Sequence, residues 1–228
     1  MSKPAKLLAN LRLSLKRQGL MSTVRDYSYW TREKYNDWRL GIRTVGKIYR
    51  TELGIVDPQY HQYEPTDYRT IRRAMRFLRI RENEDVFLDY GSGLGRVVVV
   101  AATYPFRRVI GVEFFPQLNA LAADNMRRAE KKLRCKNIEL VTADAAAYEL
   151  PADVSVVFLY NPFEGQVLSR VFQNIRKSLA EVPRKLTVVF KNPVHFQAEL
   201  AACDWLVERR KFLCYSRHEV VILEAQPC

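Results

Sequence analysis

The sequence predicts an α/β fold over residues 82–228, a doubly wound, mostly parallel seven-stranded sheet with a C-terminal antiparallel hairpin, preceded by a helical N-terminal extension over residues 1–81. Three observations predict it. From Val86 onward, short apolar runs alternate with helical ones, the pattern of a parallel sheet covered on both faces. Residues Val86 to Arg96, VFLDYGSGLGR, empty a strand into a glycine-rich turn that restarts as a helix. The last two apolar runs are joined by Ser216-Arg217-His218, far too short for a parallel crossover.

The elements follow in order. Residues 4–20 read as a basic amphipathic helix, with Leu7, Leu8, Leu11 and Leu15 on one stripe and Lys6, Arg12, Lys16 and Arg17 off it. Residues 22–52 read as a second helical stretch rich in aromatics, including Tyr27, Trp30, Tyr35 and Trp38. Asp57–Pro65 is a loop by its two prolines, and Thr66-Asp67 opens a helix whose apolar face is Ile71, Ala74, Met75 and Leu78. Strands are predicted at Val86–Asp89, Arg108–Glu113, Asn137–Thr142, Val154–Tyr160, Lys185–Lys191, Trp205–Tyr215 and Glu219–Ala225. Helices are predicted between them at Arg96–Tyr104, Pro116–Leu133, Val167–Ala180 and Phe196–Ala202.

The chain has 228 residues, 48% of them hydrophobic, enough for one sizeable core with an appendage. Its net charge of +12 is unevenly placed: residues 1–81 carry 18 Lys and Arg against 7 Asp and Glu, whereas the remainder is nearly neutral. Such an extension suits an anionic partner (nucleic acid, an acidic polymer or a membrane surface), or else is a solvated helical face. Cys135, Cys203, Cys214 and Cys228 are widely spaced and form no metal-ligand or disulfide pattern, which points to free thiols in a reducing cytoplasm and to no metal. The apolar stretch from Leu7 is broken by Arg12, Lys16 and Arg17, so neither a cleavable signal nor a membrane span is read there, although peripheral contact with an anionic membrane is compatible with it.

The glycine corner is a nucleotide-binding signal, since glycine turns tightly and lets a ligand approach the backbone. Its register is G-x-G-x-G, at Gly91, Gly93 and Gly95. The dinucleotide fingerprint G-x-G-x-x-G/A fails in both registers, at Arg96 and at Val98, and no Gly-Lys-Ser/Thr follows to make a P-loop. Acids end three successive strands: Asp89, Glu113 and Asp144. All three therefore stand at the carboxyl edge of the sheet, where one ligand can touch them. Glu113 suits ribose hydroxyls and Asp144 the exocyclic amine of adenine. The fourth strand ends in Tyr160-Asn161-Pro162-Phe163, an amide, a proline and an aromatic at the mouth of a buried strand. Its carbonyl groups can accept from a substrate amine, and Phe163 can cover a planar or cationic group.

On these residues the chain resembles the class I S-adenosylmethionine-dependent methyltransferases, from about Val86 to the C-terminus. Asp89-Tyr90-Gly91-Ser92-Gly93-Leu94-Gly95 matches that family's first motif, Glu113 its ribose acid and Asp144 its adenine acid. Asn161-Pro162-Phe163 is similar to the Asn-Pro-Pro-Tyr/Phe motif of amino-group methyltransferases, with one proline fewer. The resemblance implies methyl transfer to a nitrogen or oxygen nucleophile of a protein, nucleic acid or small molecule, with S-adenosylmethionine as cofactor. It implies that Asp89 and the amides of the glycine loop, with Ser92, hold the amino-acid end, that Phe114 packs on adenine beside Ala145, and that Asn161 aims the acceptor. Tyr63, Glu64 and Tyr68 are read as a lid, and Tyr160, Tyr63 and His195 as candidate bases. The competing readings are a non-catalytic cofactor-binding module and an NAD-dependent oxidoreductase. If the extension only handles substrate, deleting residues 1–50 leaves cofactor affinity within a few-fold.

Overall fold

A computed structural model describes residues 3–54, 57, 59–161, 163, 165–193, 203–215 and 217–226. Seven strands form one sheet: β1 (Val86–Tyr90), β2 (Arg108–Glu113), β3 (Ile138–Thr142), β4 (Val156–Tyr160), β5 (Thr187–Lys191), β6 (Leu206–Leu213) and β7 (Glu219–Ala225). Their order is β3-β2-β1-β4-β5-β7-β6, parallel except where β7 lies between β5 and β6. The strand order turns back between β1 and β4, which makes the carboxyl ends of these two strands the crevice of the sheet. Tyr90 belongs to β1, extending the predicted strand by one residue, because it pairs with both Val112 and Leu159.

The helices are α1 (Lys3–Leu40), α2 (Arg50–Leu53), α3 (Tyr68–Phe77), α4 (Arg96–Ala102), α5 (Pro116–Ala129) and α6 (Gly165–Glu181). Within α1 the two helical stretches expected from sequence meet at a break at Gly19, whose backbone is non-helical with φ 78°. This helix ends at Leu40 rather than running to residue 52. Gly41 takes the left-handed region at φ 79°, and the Asp37 carboxylate captures the Thr44 and Val45 amides, so the chain turns away. The side chains of Leu7, Leu8, Leu11 and Leu15, and the segment predicted as a helix at Phe196–Ala202, lie outside what is described. Asp67 caps α3, its carboxylate accepting from Thr70 N at 2.8 Å. The helix predicted to Leu133 ends at Ala129 and tightens into a 3₁₀ turn over Glu130–Lys132.

One face of the sheet is covered by α3, α4 and the end of α1, in a core that joins Leu40, Ile42, Ile71 and Met75 to Phe87, Val98, Phe158 and Val189. The other face is covered by α6, which buries Leu168, Val171 and Ile175 against Leu88, Val157 and Val188. Residues on both sides of position 81 therefore share one core. Among the described residues no helix is long and apolar enough to cross a membrane, and no cluster of His, Cys, Asp and Glu could hold a metal.

Candidate active site

The site grows from the end of β1. Gly91, Gly93 and Gly95 all have positive φ (72°, 53° and 77°), the region glycine enters without steric cost. A Cβ at Gly93 would stand 2.4 Å from Cδ2 of Tyr63, whose ring lies on the turn. The loop amides are consumed within the protein. Val112 O accepts from Gly91 N and Ser92 N, Ser92 O accepts from Gly95 N, and Glu113 Oε2 accepts from Gly93 N at 2.7 Å. These four amides thus have acceptors within the protein, and the glycines permit the turn and the approach of Tyr63. Glu113 braces the turn as well, its other oxygen accepting from Phe115 N at 3.0 Å. A carboxylate has about four acceptor sites, so ribose hydroxyls can still be received there. Burial pushes the Glu113 carboxyl above its ordinary value, against the pull of those amides.

A cavity opens beside this turn, lined among others by Tyr63, Thr66, Asp89, Arg96, Phe114 and Asn161. Five buried polar atoms in its wall have no hydrogen-bond partner: Asp89 Oδ2, Ser92 Oγ, Asn161 Oδ1, Arg96 Nη2 and Thr66 Oγ1. Buried polar groups are nearly always paired, so this concentration identifies a polar-ligand site. The set offers acceptors for an ammonium (Asp89, Asn161) and donors for a carboxylate (Arg96, Thr66, Ser92), which is the demand of an amino-acid zwitterion. Burial, with Glu113 nearby, raises the Asp89 carboxyl well above its usual range, an effect that a bound cation would reverse. Asn161 stands in the left-handed region at φ 39°, which asparagine tolerates, and its carbonyl lies 2.7 Å from His61 Nδ1.

Residues 60–65 of the predicted loop line this cavity. Tyr60 pairs with Phe163 in an antiparallel bridge, and its hydroxyl donates to Asp144 Oδ1 at 3.0 Å. Its ring is 5.0 Å from that of Phe114, which is 45% exposed. Burial and that hydrogen bond push the Tyr60 hydroxyl up to about 12. Ala143 and Ala145, either side of Asp144, line the cavity. Tyr63 bridges to Ile48 and its hydroxyl donates to Thr44 O at 2.9 Å, while Glu64 pairs with Lys47 at the surface. Tyr68 does not belong to this strap. It is 1% exposed in the core, donating to Asp37 Oδ1 at 2.6 Å, because it opens α3 and points beneath the turn. Phe163 is buried, edge-on to Tyr90. Pro162 and His195 lie outside the described residues.

Sequence reasoning missed two groups. Arg96 is buried, with Nη1 2.5 Å from Glu33 Oε2, Nε 2.7 Å from Thr44 Oγ1 and Nη2 3.6 Å from Asp37 Oδ1. The extension therefore holds a residue of the cavity wall. A cation immediately after the last glycine was the available signal for Arg96; nothing local marks its partners in α1. Lys191 is 2% exposed, its ammonium 3.4 Å from the centroid of the Tyr160 ring. No sequence pattern marks it, since its burial depends on β5 lying beside β4.

Sheet order, antiparallel hairpin and the Asp89–Gly95 turn together give the chain the seven-stranded fold of the class I S-adenosylmethionine-dependent methyltransferases. Residues 63–153, less than half of the chain, match the family of the histone methylation protein DOT1. A histone-lysine N-methyltransferase, H3 lysine-79 specific, of Drosophila melanogaster is 33% identical over 69 residues, covering 26% of this chain; the match spans only 4% of that relative's length. Among solved structures, an RNA methyltransferase of Salinibacter ruber in complex with S-adenosylhomocysteine is similar over 71% of this chain and 94% of its own, with TM-score 0.53 and 23% identity. A ribosomal protein L11 methylase of Lactobacillus delbrueckii subsp. bulgaricus is similar over 72% and 81%, with TM-score 0.54 and 13% identity. At these identities the two structures speak for the fold alone.

Gly93→Ala tests the turn. The added methyl meets the Tyr63 ring and the residue is strained by about 1–2 kcal/mol in the left-handed region. Cofactor affinity is expected to fall at least ten-fold by calorimetry, and Gly93→Ala/Tyr63→Ala to recover part of it.

Proposed function

We propose that this chain transfers the methyl group of S-adenosylmethionine to an amine of a protein. The observation that carries the cofactor reading is the group of five unpaired buried polar atoms around one cavity at the β1 turn. Match to the DOT1 family over residues 63–153 supports an amino group of a protein as acceptor.

When bound, the cofactor supplies a methyl on a sulfonium that leaves as a neutral thioether, so no acid is required of the protein. The residues supply placement, and placement alone lowers a bimolecular barrier greatly. Asp89 receives the ammonium and Arg96 with Thr66 the carboxylate. Glu113 receives the ribose, while Phe114, Ala145 and the strap residue Tyr60 enclose the base, with Asp144 held beneath Tyr60. Tyr63 and Glu64 close the mouth and exclude water. Asn161 Oδ1 accepts an N–H of the incoming amine, and Phe163 backs the segment that carries it. Lys191, behind Tyr160, takes the proton that the amine must lose: burial lowers its ammonium to about 8, close to working pH. The buried thiols of Cys135 and Cys214 suit the reducing cytoplasm in which we place this reaction.

Calorimetry with S-adenosylmethionine, S-adenosylhomocysteine and NAD tests the cofactor, and a lysate incubated with methyl-labelled cofactor, then sorted into protein, RNA, lipid and small-molecule pools, tests the acceptor. Binding of both sulfur ligands with label in protein is expected. NAD binding without either sulfur ligand sinks the cofactor reading. Label confined to another pool sinks the acceptor, and cofactor binding with no labelled pool leaves a binding module.

A further inference from the structure

A second site lies outside the cavity, in a groove between α1 and α3 lined by Arg32, Asn36, Arg69, Arg72, Arg76 and Tyr104. Four arginines line it, Arg32 with its guanidinium 5.8 Å from the Tyr215 ring centroid, and among the described residues none of the four has a carboxylate within ion-pair distance. Several arginines elsewhere on the surface are paired with acids: Arg81 with Glu84 and Asp85, Arg107 and Arg108 with Asp153, Arg134 with Glu82. Concentrated, uncompensated charge in a concavity raises the local potential and collects anions.

The row has a direction and a spacing. Arg69, Arg72 and Arg76 stand at i, i+3 and i+7 of α3, one face of the helix. At 1.5 Å per residue they cover about 10 Å along the helix axis. Arg72 is partly preorganised, its Nη2 donating to Asn36 Oδ1 at 2.7 Å and its guanidinium 5.4 Å from the Tyr68 ring centroid. Guanidinium forks match phosphate oxygens in geometry as well as charge. Tyr104, half-buried on the groove wall, adds an aromatic surface, and a basic channel with an aromatic is how proteins hold single strands. A bilayer is flat and cannot enter the concavity.

We infer that this groove binds the backbone of single-stranded nucleic acid. The Tyr68 ring stands between the groove and the cofactor cavity, with Arg72 of the groove 5.4 Å and Arg96 of the cavity wall 4.5 Å from its centroid. A strand bound there lies beside the reaction site without occupying it, so the inference does not depend on which amine is methylated.

Fluorescence anisotropy of a labelled 12-mer oligothymidylate with the full chain, across a salt series, tests it. Arg32→Gln/Arg69→Gln/Arg76→Gln is expected to weaken binding at least ten-fold and to flatten the log–log salt slope by about 2, at about 0.7 for each phosphate no longer neutralised. A control, Arg170→Gln/Arg176→Gln/Lys185→Gln, is expected to lower binding less than two-fold. Affinity for S-adenosylhomocysteine is expected to stay unchanged in both, which separates a failure here from a failure of the methyltransferase reading. If the triple variant melts early, Arg69→Gln and Arg76→Gln singly, both exposed, carry the test with about three-fold losses each. Equal losses in groove and control variants overturn the inference. So does binding of a 12-base-pair duplex, polyglutamate or phosphatidylserine vesicles as tight as that of the oligonucleotide.

Discussion

Glu33→Ala is expected to destabilise the protein by about 3–5 kcal/mol and to abolish measurable cofactor binding. Glu33 and Arg96 are 4% and 2% exposed at their side chains, so neither charge has water to fall back on. Removing one partner of a buried pair leaves the other charge uncompensated, which costs about that much. At about 2–4 °C per kcal/mol for a chain of this size, the melting midpoint falls by roughly 10 °C. Asp37, 3.6 Å from Arg96 Nη2, compensates only in part, because its oxygens also receive Thr44 N, Thr44 Oγ1, Val45 N and the Tyr68 hydroxyl. The double variant Glu33→Leu/Arg96→Met separates the two effects. Apolar replacement of a buried ion pair is often neutral or stabilising, so the midpoint is expected to return while cofactor affinity stays low. Recovery of both would show that Arg96 is a strut and touches no ligand. Deletion of residues 1–50 is expected to lose fold and cofactor together, for it removes Glu33, Asp37 and Thr44 at once.

That result bears on what could be read in the chain before its structure. The sheet was legible because its signals are local: β2 and β7 have the bounds their apolar runs indicate, and Asp67 caps a helix as its side chain requires. The glycine corner was legible in position but not in use, since the acceptors for its amides come from Val112 and Glu113 on a neighbouring strand. The partners of Arg96 were not legible, because Glu33 is 63 residues away and becomes a neighbour only after α1 has folded back on α4. For the same reason the packing of Leu40 and Ile42, from a segment read as an extension, into the core of the sheet was not legible. Asp37 ended the helix through a side chain binding the backbone at Thr44, which competes with helical hydrogen bonding and leaves no trace in apolar periodicity.

Lys191→Met is expected to stabilise the protein while removing the pH dependence of its activity. Register aligns Lys191 with Tyr160, and Asp89 with Phe158, so strand alternation puts all four on one face of the sheet at its carboxyl end. The ammonium rests on the Tyr160 ring, and among the described residues no carboxylate lies within ion-pair distance of it. Burial therefore lowers its proton affinity to about 8, from an ordinary lysine value near 10.5. Between these values the unfolded chain binds more protons than the folded one, so stability rises with pH across the window from about 8 to 10.5. Below 8 the full penalty stands, on the order of 3 kcal/mol for a gap of this width. Methionine fills the same space without a charge, and urea unfolding at pH 7 is expected to show a gain of about 2 kcal/mol. The wild-type advantage of moving to pH 9.5 should vanish in the variant. Methyl transfer by the wild type is expected to rise with pH to a plateau above about 8, as neutral Lys191 becomes available to take the proton of the amine. In Lys191→Met the rate is expected to fall by about 10²–10³, the scale of a lost general base, with that inflection gone. A variant that is stabilised yet retains the wild-type rate and inflection would make Lys191 a buried charge of no catalytic consequence, and would assign the inflection to the acceptor amine itself.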